Sequence, residues 1–428
     1  MDTAALYNIY LQYPSVQTDT RKLKEGDLFF ALTGPNFNGN TFAQQALEMG
    51  AAYVIIDEEE YKVNERCLLV PNVLTSLQEL AAHHRAQFNI PFIAITGSNG
   101  KTTTKELITA VLSCKYKTYA TIGNLNNHIG IPLTILSIKK DAEMAIIEMG
   151  ANHQKEIASY CPIAQPTYGL INNCGKAHIE GFGSEEGVRK GKGELYDYIR
   201  AHNGTIFRNA DLDYLKDMSA GIAKQITYGS ANATYIGKPL EQKTLLDVAI
   251  LTKDNECTIK TSLVGGYNFP NVMAAVAVGL HFDIDIDTIK AAIEQYKPDN
   301  SRSQLMERGT NKLILDAYNA NPTSMRAAII NFAGMQVPNK QLWLGAMKEM
   351  GDTATNEHDA LVALIQGYDW EEVLLVGDEF KTVPDHYLHF STSKEAAAYI
   401  EQHQPKEANI LVKGSRSSRM ELIVAALD

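Results

Sequence analysis

The stretch PFIAITGSNGKTT, residues 91–103, decides the fold of the middle of the chain. Its apolar run predicts a strand that is buried on both faces of a parallel sheet. The glycines that follow let backbone N–H groups approach a phosphate, and the amino end of the predicted helix 101–112 favours an anion. Lys101 would neutralise phosphate charge, and the Thr102 hydroxyl is suited to Mg²⁺. Strand, glycine loop and helix in this order predict an ATP-phosphate-binding loop.

The loop follows a short form of the phosphate-binding pattern, TGxxGKT. The general form GxxxxGK[ST] has glycine at the position where Ile95 stands. The alternative is a chance glycine turn before a basic helix start. The order of strand, loop and helix favours the phosphate loop over that alternative.

Outward from this loop, strand and helix patterns alternate in three segments of the 428-residue chain. We predict an α/β fold with three domains. Residues 1–88 would form an α/β amino-terminal substrate domain, and residues 89–297 a central P-loop ATPase domain with a mostly parallel sheet. Residues 298–428 would form a Rossmann-like carboxy-terminal domain, after a hinge at residues 298–301.

The individual elements follow from apolar periodicity and from cap and turn residues. The predicted strands are 28–32, 52–57, 67–70, 91–96, 144–149, 167–172, 312–317, 341–345, 373–377, 387–390 and 409–413. The predicted helices include 41–49 (capped by Thr41), 74–88, 101–112, 268–281 and 287–296. Residues 226–264 contain short β-like pieces and predict an antiparallel flap within the central domain.

The composition is that of a soluble globular protein, with 45% hydrophobic and 21% charged residues. A net charge of −11 and the lack of a long basic run argue against nucleic acid as a partner. The five cysteines are scattered without a CxxC pair, so we expect neither a disulfide framework nor a zinc site. The first residues do not form a signal peptide, and no apolar stretch is long enough to span a bilayer. We therefore expect a soluble cytoplasmic protein with no stable membrane association.

Two side chains are predicted to lie near the phosphate loop, at the carboxyl edge of the central sheet. Glu148 ends an apolar strand, and such a carboxylate is a hard oxygen ligand for Mg²⁺. The alternative, a solvated glutamate at a strand end, is equally compatible with the spacing. His178 follows the next predicted strand, and a lone histidine in a loop is more often structural than a ligand.

The segment GVRKGKGEL, residues 187–195, combines a basic face with two glycines. Ser184 and the acidic residues after it predict a helix start. Glycine costs a helix about 1 kcal/mol relative to alanine, so these glycines indicate a close approach of backbone or ligand. The residues alone do not choose among Arg189, Lys190 and Lys192, and a solvated basic face is the alternative.

Asn268 and Asn271 stand at the start of a later helix. Their amides carry both donors and acceptors, which would suit the edge of an adenine. Helix capping by Asn268 explains that residue equally well.

These motifs together resemble the Mur ligase superfamily over nearly the whole chain. Besides the phosphate loop and the KE pair at 105–106, the resemblance rests on 124–134 (NLNNHIGIPLT), 148–151 (EMGA), 177–184 (AHIEGFGS), 192–194 (KGE), 316–322 (DAYNANP) and 344–351 (LGAMKEMG). Residues 19–21 (DTR) and 26–32 (GDLFFAL) resemble a segment that helps to bind a uridine nucleotide. The chain departs from the family at Asn38-Gly39-Asn40, where Asp-Gly-His is usual, and at Ala346, where aspartate is usual.

The resemblance implies an ATP-dependent amide ligase of peptidoglycan precursor synthesis. It would add D-alanyl-D-alanine to UDP-N-acetylmuramoyl-tripeptide through an acyl phosphate, using ATP, two Mg²⁺ ions and a carbamylated Lys192. The implied catalytic residues are Lys101, Glu148, His178 and Lys192; Thr102 and Glu148 would hold one metal ion, and Glu148, His178 and Lys192 the second. The implied ATP-binding residues are Gly97, Ser98, Asn99, Gly100, Lys101, Thr102, Asn268, Asn271, Arg302 and Asp316. The implied substrate-binding residues are Thr20, Arg21, Asn124, Asn126, Asn127, Asn319 and Asn321.

Two other functions are compatible with the phosphate loop alone. A sister amide ligase would share the ATP site but take another substrate, and the 316–322 stretch argues against it. A P-loop nucleotide switch would leave the 124–134 motif, His178 and Lys192 unexplained. We expect a monomeric ligase that binds no nucleic acid.

Overall fold

The computed structural model describes residues 1–240, 244–251, 256–299 and 301–427. Its strands form sheets of four, nine and six strands and a two-stranded ribbon. The four-stranded sheet and the ribbon lie in the first segment, and the larger sheets lie in the second and third segments. No helix within these ranges is long and apolar enough to cross a membrane.

The first sheet is parallel throughout. Its strands in spatial order are Val16–Gln17, Leu28–Phe30, Tyr53–Ile56 and Cys67–Leu69. The ribbon pairs Thr33–Gly34 with Phe37–Asn38, and the helices are Thr3–Gln12, Ala43–Glu48 and Val73–Arg85, with 3₁₀ turns at Thr20–Lys22, Gly39–Phe42 and Glu59–Tyr61. The predicted strands are present, but the predicted Thr41 cap is wrong. A 3₁₀ turn precedes the helix, and the Thr41 hydroxyl donates back to the carbonyl of Asn38 at 2.7 Å.

The first segment is anchored to the second through the helix Val73–Arg85. This helix contacts the helices Gly130–Leu136 and Glu156–Ala164 of the central segment. Arg85 at its end donates to the carbonyls of Ala164 and Gln165, each at 2.9 Å. Its guanidinium also lies 3.6 Å from the ring centroid of Phe92, so a buried cation joins the helix to the first strand of the central sheet.

The central sheet has nine strands, and the phosphate-loop strand lies within it. The spatial order is Glu256–Val264, Leu245–Leu251, Tyr235–Pro239, Lys224–Gly229, Thr205–Asn209, Tyr168–Ile171, Phe92–Thr96, Met144–Glu148 and Thr118–Ala120. Only the pairings on either side of Leu245–Leu251 are antiparallel. The predicted antiparallel flap within the central domain at 226–264 is therefore wrong in part, because Lys224–Gly229 pairs in parallel with both of its neighbours. Its described residues continue the main sheet, and residues 241–243 and 252–255 lie outside the described ranges.

Helices cover both faces of this sheet. They are Lys101–Leu112, Gly130–Leu136, Glu156–Ala164, Ile179–Phe182, Glu185–Ala201, Asp213–Met218, Phe269–His281 and Ile286–Gln295, with a 3₁₀ turn at Gly266–Asn268. Two separate apolar cores result, one on each face, and the strand Phe92–Thr96 sends alternate side chains into each. Burial on both faces explains why this strand has a continuous apolar sequence.

The third sheet carries one antiparallel edge strand on an otherwise parallel sheet. The order is Gln304–Arg308, Asn311–Asp316, Asn409–Lys413, Lys340–Gly345, Glu372–Val376 and Leu388–Phe390. Its helices are Pro322–Gly334, Ala354–Ile365, Ser393–Gln402 and Glu421–Ala425, with 3₁₀ turns at Gly351–Thr353 and Arg416–Ser418. The edge strand Gln304–Arg308 was not predicted from the sequence. Asn300 of the predicted hinge lies outside the described residues.

The two glycines that flank Lys192 in the helix Glu185–Ala201 have different surroundings. A Cβ added at Gly191 would lie 2.4 Å from Cε1 of the buried Phe182 ring. A Cβ added at Gly193 would meet only the Met218 methyl, at 3.4 Å. The close approach predicted from the sequence therefore occurs at Gly191, and the partner there is a side chain of the protein.

This difference predicts opposite effects of the same substitution. Gly191→Ala should lower the free energy of unfolding by about 1–2 kcal/mol, because overpacking outweighs the gain in helix propensity. Gly193→Ala should raise it by up to about 1 kcal/mol. Urea unfolding of both variants checks this, and equal shifts in the same direction would contradict the packing difference.

Candidate active site

The phosphate loop has the backbone that its glycines were expected to allow. Gly97 and Gly100 have φ of 146° and 80°, and the helix begins at Lys101. A Cβ at Gly100 would lie 2.5 Å from Asn271 Oδ1, so the loop also packs too closely for a side chain there. Lys101 Nζ donates to the carbonyls of Gly97 at 2.6 Å and Ser98 at 3.3 Å. Burial lowers the pKa of Lys101 to about 8.

Glu148 lies at the end of its strand and is 1% exposed, so the alternative of a solvated glutamate is wrong. One carboxylate oxygen accepts hydrogen bonds from Thr102 Oγ1 at 3.2 Å and from Asn126 Nδ2 at 2.7 Å. The other oxygen, Oε2, is buried and has no hydrogen-bond partner among the described residues. A buried carboxylate oxygen needs compensation. This oxygen and the adjacent threonine hydroxyl form a donor set that fits a hard divalent cation.

Of the three basic residues left open by the sequence, Lys192 is the buried one. It is 1% exposed, and its Nζ donates to the carbonyl of Ala151 at 2.9 Å. Burial and the nearby charge of Lys101 lower its pKa to about 7. The guanidinium carbon of Arg189 instead lies 4.9 Å from the ring centroid of Tyr214. The Lys190 side chain is exposed to solvent, with its Nζ 3.8 Å from Glu186 Oε1.

His178 lines the same cleft as Lys101 and Glu148. It adopts a left-handed backbone with φ of 52°, and its ring contacts the carboxylate of Glu349 from the third segment. The neighbouring His178 ring lowers the pKa of Glu349. Within the described ranges, no three histidine, cysteine, aspartate or glutamate side chains group as a metal site. The second metal ion that the resemblance implies at Glu148, His178 and Lys192 stays a prediction.

Asn268 and Asn271 belong to a buried polar network behind the phosphate loop. Asn271 Oδ1 accepts from Thr104 Oγ1 at 3.0 Å and Asn172 Nδ2 at 3.2 Å, and its Nδ2 donates to Asn268 Oδ1 at 2.8 Å. Asn268 Nδ2 donates to the carbonyl of Val264 at 2.9 Å. Asn268 makes no capping hydrogen bond with its side chain, so the capping alternative is wrong. Both residues line the cleft, and their role toward adenine stays a prediction.

A cleft of about 440 Å³ gathers most of the predicted site residues from the second and third segments. Those that line it are Ser98, Asn99, Gly100, Lys101, Asn124, Asn126, Asn127, Glu148, His178, Asn268, Asn271, Arg302, Asp316, Asn319 and Asn321. Thr20 and Arg21 are not among the lining residues, and the Arg21 side chain is 86% exposed and paired with Asp19. Most of the predicted ATP residues therefore line one cleft, but Gly97, Thr102 and Lys192 are not among its lining residues. The predicted uridine contacts lie apart.

The predicted substrate asparagines also have structural roles. Asn321 Oδ1 accepts from Ser324 N at 2.9 Å and caps the helix Pro322–Gly334, while its Nδ2 donates to Asn99 Oδ1 at 2.7 Å. Asn319 Oδ1 accepts from the following backbone N–H, and Asn127 Oδ1 accepts from Gly130 N at 2.9 Å. These bonds hold the loops that line the cleft in place.

Two side chains that the sequence analysis did not single out hold the site together. Asn173 Oδ1 accepts from the Asn99 N–H at 3.0 Å, and its Nδ2 donates to the Asn99 carbonyl at 3.2 Å. Asn172 reaches Thr104 Oγ1 at 2.8 Å. Both follow the strand Tyr168–Ile171, so their position at the carboxyl edge of a strand was the available signal.

The third segment also contacts the loop of the central segment that precedes His178. Lys176 N–H donates to Thr323 Oγ1 at 3.2 Å, and Lys176 Nζ lies 2.9 Å from Glu357 Oε1. Exchanging the charges tests this contact. Lys176→Glu should raise the KM for ATP by about 2- to 5-fold, since exposed pairs contribute modestly, and the added Glu357→Lys should restore it.

Glu186→Lys is the control for this exchange, because it breaks the pair with Lys190 within a single helix. It should leave the KM for ATP unchanged. Failure of the double variant to recover would show that the attraction between Lys176 and Glu357 does not hold the segments together.

Comparison with known proteins places this geometry in a family. Models of the Mur ligase catalytic domain, middle domain and glutamate ligase domain match residues 12–85, 95–279 and 301–416. The UDP-N-acetylmuramoyl-tripeptide–D-alanyl-D-alanine ligase of Bacillus subtilis (strain 168) is 33% identical over 96% of this chain and 92% of its own length. The Escherichia coli (strain K12) enzyme of the same name is 34% identical over 97% and 93%.

The chain belongs to the Mur ligase family. Two solved structures are similar to it along nearly their whole length. MurF from Acinetobacter baumannii superposes with a TM-score of 0.86 at 29% identity, covering 96% of this chain and 92% of that one. The MurF ligase from Thermotoga maritima in complex with ADP has a TM-score of 0.86 at 26% identity and 97% coverage of both chains. The three-part α/β architecture of the Mur ligase family is thus confirmed for this chain.

The departures of this Mur ligase from the family sequence are accommodated inside the fold. Asn40 is fully buried, donates to Asp57 Oδ1 at 2.8 Å and accepts from the Asp57 N–H at 3.1 Å. Ala346 is 1% exposed at the end of the strand Lys340–Gly345. A Cβ on Gly377 would lie 2.6 Å from the Ala346 Cβ, so little space is left for a larger side chain at position 346.

Proposed function

We propose that this Mur ligase couples ATP cleavage to amide-bond formation, adding D-alanyl-D-alanine to UDP-N-acetylmuramoyl-tripeptide. One observation carries the proposal: a single cleft holds the phosphate-loop cation Lys101, the buried carboxylate of Glu148 with its unpaired oxygen, and Arg302 and Asp316 from the third segment. The substrates are supported by the names of the relatives, which match over nearly the whole chain.

The reaction proceeds in two steps. The terminal carboxylate of the tripeptide attacks the γ-phosphorus of ATP, the bond to the β-γ bridging oxygen breaks, and ADP leaves. The amine of the dipeptide then attacks the acyl carbon, the C–O bond to phosphate breaks, and inorganic phosphate leaves as the amine loses its proton. The chain contributes mainly by positioning the reactants and by stabilising charge on the transferring phosphoryl group.

Lys101 is the residue that stabilises the transferring group. Its ammonium lies within the loop and is held by the carbonyls of Gly97 and Ser98, so it needs little reorganisation to meet a phosphate. Thr102 and Glu148 would hold one Mg²⁺, which supplies charge neutralisation for the phosphates when bound. Asn126 orients the Glu148 carboxylate by donating to the same oxygen as Thr102.

Lys192 would complete a second cation site as a carbamate, together with Glu148 and His178. The neutral amine, formed when the ammonium loses a proton, would attack the carbon of CO₂; a C–N bond forms, one C=O π bond opens, a second proton is released to solvent, and the carbamate anion supplies oxygen ligands. The amine of Lys192 is buried and donates to the carbonyl of Ala151, and in the part of the chain that the structure describes no salt bridge joins it to a carboxylate. Its lowered pKa supports the neutral form that the addition needs.

The incoming dipeptide would enter from a neighbouring pocket of about 560 Å³ in the third segment. This pocket shares Asn319 with the ATP cleft and is lined by Lys348, Arg416 and Arg419, with Glu349 beside them. Cations suit the carboxylate of a dipeptide, and Glu349 suits its ammonium. We propose that segment 1–88, including Thr20 and Arg21, binds the uridine nucleotide. Segments 89–297 and 298–428 would close around ATP. We further propose that the protein is a cytoplasmic monomer.

The deciding experiment measures phosphate release from ATP with the tripeptide substrate, with and without D-alanyl-D-alanine. We expect release to depend on both, with formation of a UDP-N-acetylmuramoyl-pentapeptide. Release that depends on the tripeptide substrate and a different amine would identify a sister amide ligase. Nucleotide binding with no turnover under any combination would favour a nucleotide switch.

A further inference from the structure

A buried lysine at the carboxyl end of an interior strand of the third sheet is not among the residues proposed to bind ATP or metal. Lys413 ends the strand Asn409–Lys413 and is 2% exposed. It also lines the ATP cleft, which places its ammonium at the border between the core and the ligand space. A buried ammonium without a role would be costly, so its contacts identify what it does.

The contacts of Lys413 converge on Asp316. Its Nζ lies 2.5 Å from Asp316 Oδ2, and the two residues are register partners on adjacent parallel strands. Nζ also approaches the carbonyl of Asn319 at 3.4 Å. One cation therefore fixes both the carboxylate and the loop that leaves the strand carrying it.

The other oxygen of Asp316 is held from the opposite side. Asp316 Oδ1 accepts from the Ser303 N–H at 3.3 Å, and Ser303 Oγ lies 3.0 Å from the hydroxyl of Tyr267 in the central segment. A carboxylate has about four lone-pair directions, so contacts to both oxygens still leave acceptors for a ligand in the cleft. Asp316 is thus fixed between two segments with part of its acceptor capacity free.

We propose that Lys413 is a positioning residue for the nucleotide, acting through Asp316. The Asp316 carboxylate would accept hydrogen bonds from the sugar hydroxyls of a nucleoside di- or triphosphate, and Lys413 cancels its charge so that it does not repel the phosphates. This inference rests on the proposed function, because it takes ATP as the nucleotide. Without Lys413, the carboxylate would lose its orientation and add an uncompensated negative charge to the cleft.

The test compares Lys413→Met with Lys340→Met by calorimetric binding of ADP and by steady-state kinetics of the full chain. Lys340 lies on the adjacent strand of the same sheet, and its Nζ donates to the carbonyl of Ala333 at 2.7 Å, so it controls for loss of a lysine from this sheet. We expect Lys413→Met to raise the Kd for ADP and the KM for ATP by about 10- to 100-fold, with kcat changed by less than about 3-fold. Lys340→Met should leave Kd and KM unchanged.

A double-mutant cycle separates positioning from a merely structural role. Lys413→Met/Asp316→Asn should bind ADP no more weakly than the weaker single variant, because both act through one carboxylate. Three outcomes would each overturn the inference. Folded Lys413→Met could bind ADP with an unchanged Kd, Lys340→Met could lose as much ADP affinity as Lys413→Met, or the two single substitutions could lower ADP affinity additively in the double variant. If Lys413→Met does not fold, Lys413→Gln takes its place in every arm. If the unaltered chain binds no ADP, the proposed function fails, and that outcome is distinct from these.

Discussion

Lys192→Ala is expected to lower kcat for amide-bond formation by about 10³-fold, the upper range for loss of one preorganised electrostatic group. Of the three candidate basic residues, Lys192 is the one whose side chain is buried, and it lies close enough to Lys101 for that charge to lower its pKa. Removing it would deprive the proposed second cation site of a ligand. The fold should persist, because alanine favours a helix and the variant removes a buried amine.

The control for this prediction is Lys190→Ala, in the same helix. Lys190 is 65% exposed and pairs only with Glu186 at 3.8 Å, so its replacement should leave kcat within about 2-fold. Two readouts separate the carbamate from other roles of Lys192. A carbonyl signal from ¹³C-bicarbonate should appear in the unaltered protein and be absent from Lys192→Ala, and added acetate should restore part of the activity. Full activity of Lys192→Ala would remove this residue from the site.

Lys101→Ala is expected to lower kcat/KM for ATP by about 10²–10³-fold. Its ammonium is the cation of the phosphate loop itself. The carbonyls of Gly97 and Ser98, at 2.6 and 3.3 Å, hold it beside the position proposed for the transferring phosphoryl group. Loss of a charge that acts on the transition state should reduce kcat more than it weakens ADP binding. Steady-state kinetics and ADP calorimetry on the same preparation measure the two effects separately.

Lys115→Ala serves as the matched control, because Lys115 lies just beyond the other end of the same helix. Its Nζ donates to the carbonyl of Asp283 at 2.8 Å, far along the chain from the phosphate loop. The substitution should leave kcat/KM unchanged within error. A loss in Lys101→Ala that appears only as weaker ADP binding, with kcat intact, would contradict a role in phosphoryl transfer.

Elements decided by local chemistry were predictable from the sequence. The helix Lys101–Leu112 has the predicted bounds, and the predicted strands occur within a few residues of their positions. Glycine spacing, apolar runs and cap residues act over a few positions, so a single chain segment contains them. The short β-like pieces at 226–264 were harder, since a strand pattern does not say which neighbour it pairs with.

In the candidate site, too, the positions of residues along the chain were predictable from the sequence, whereas their contacts were not. Glu148 was placed correctly at a strand end, but its burial, its bond to Asn126 and its unpaired oxygen depend on residues far away in the chain. The asparagines were expected to contact ligands, and the structure shows that Asn268 and Asn271 also hydrogen-bond within the protein. An amide has equal chemical capacity for both uses, so only its neighbours distinguish them.

The phosphate loop, the three α/β segments and, by resemblance, the family could all be predicted from the amino-acid sequence. These depend on residue order and short spacings, which every copy of the chain carries whether folded or not. Residue chemistry by itself did not choose Lys192 over Arg189 and Lys190; the resemblance implied it, and only the tertiary structure showed that Lys192 is the buried one. The tertiary structure also brought Lys413 to Asp316 across 97 positions of sequence. The physical reason is that burial and charge pairing are properties of the space around a side chain, and that space is built by segments distant in the sequence.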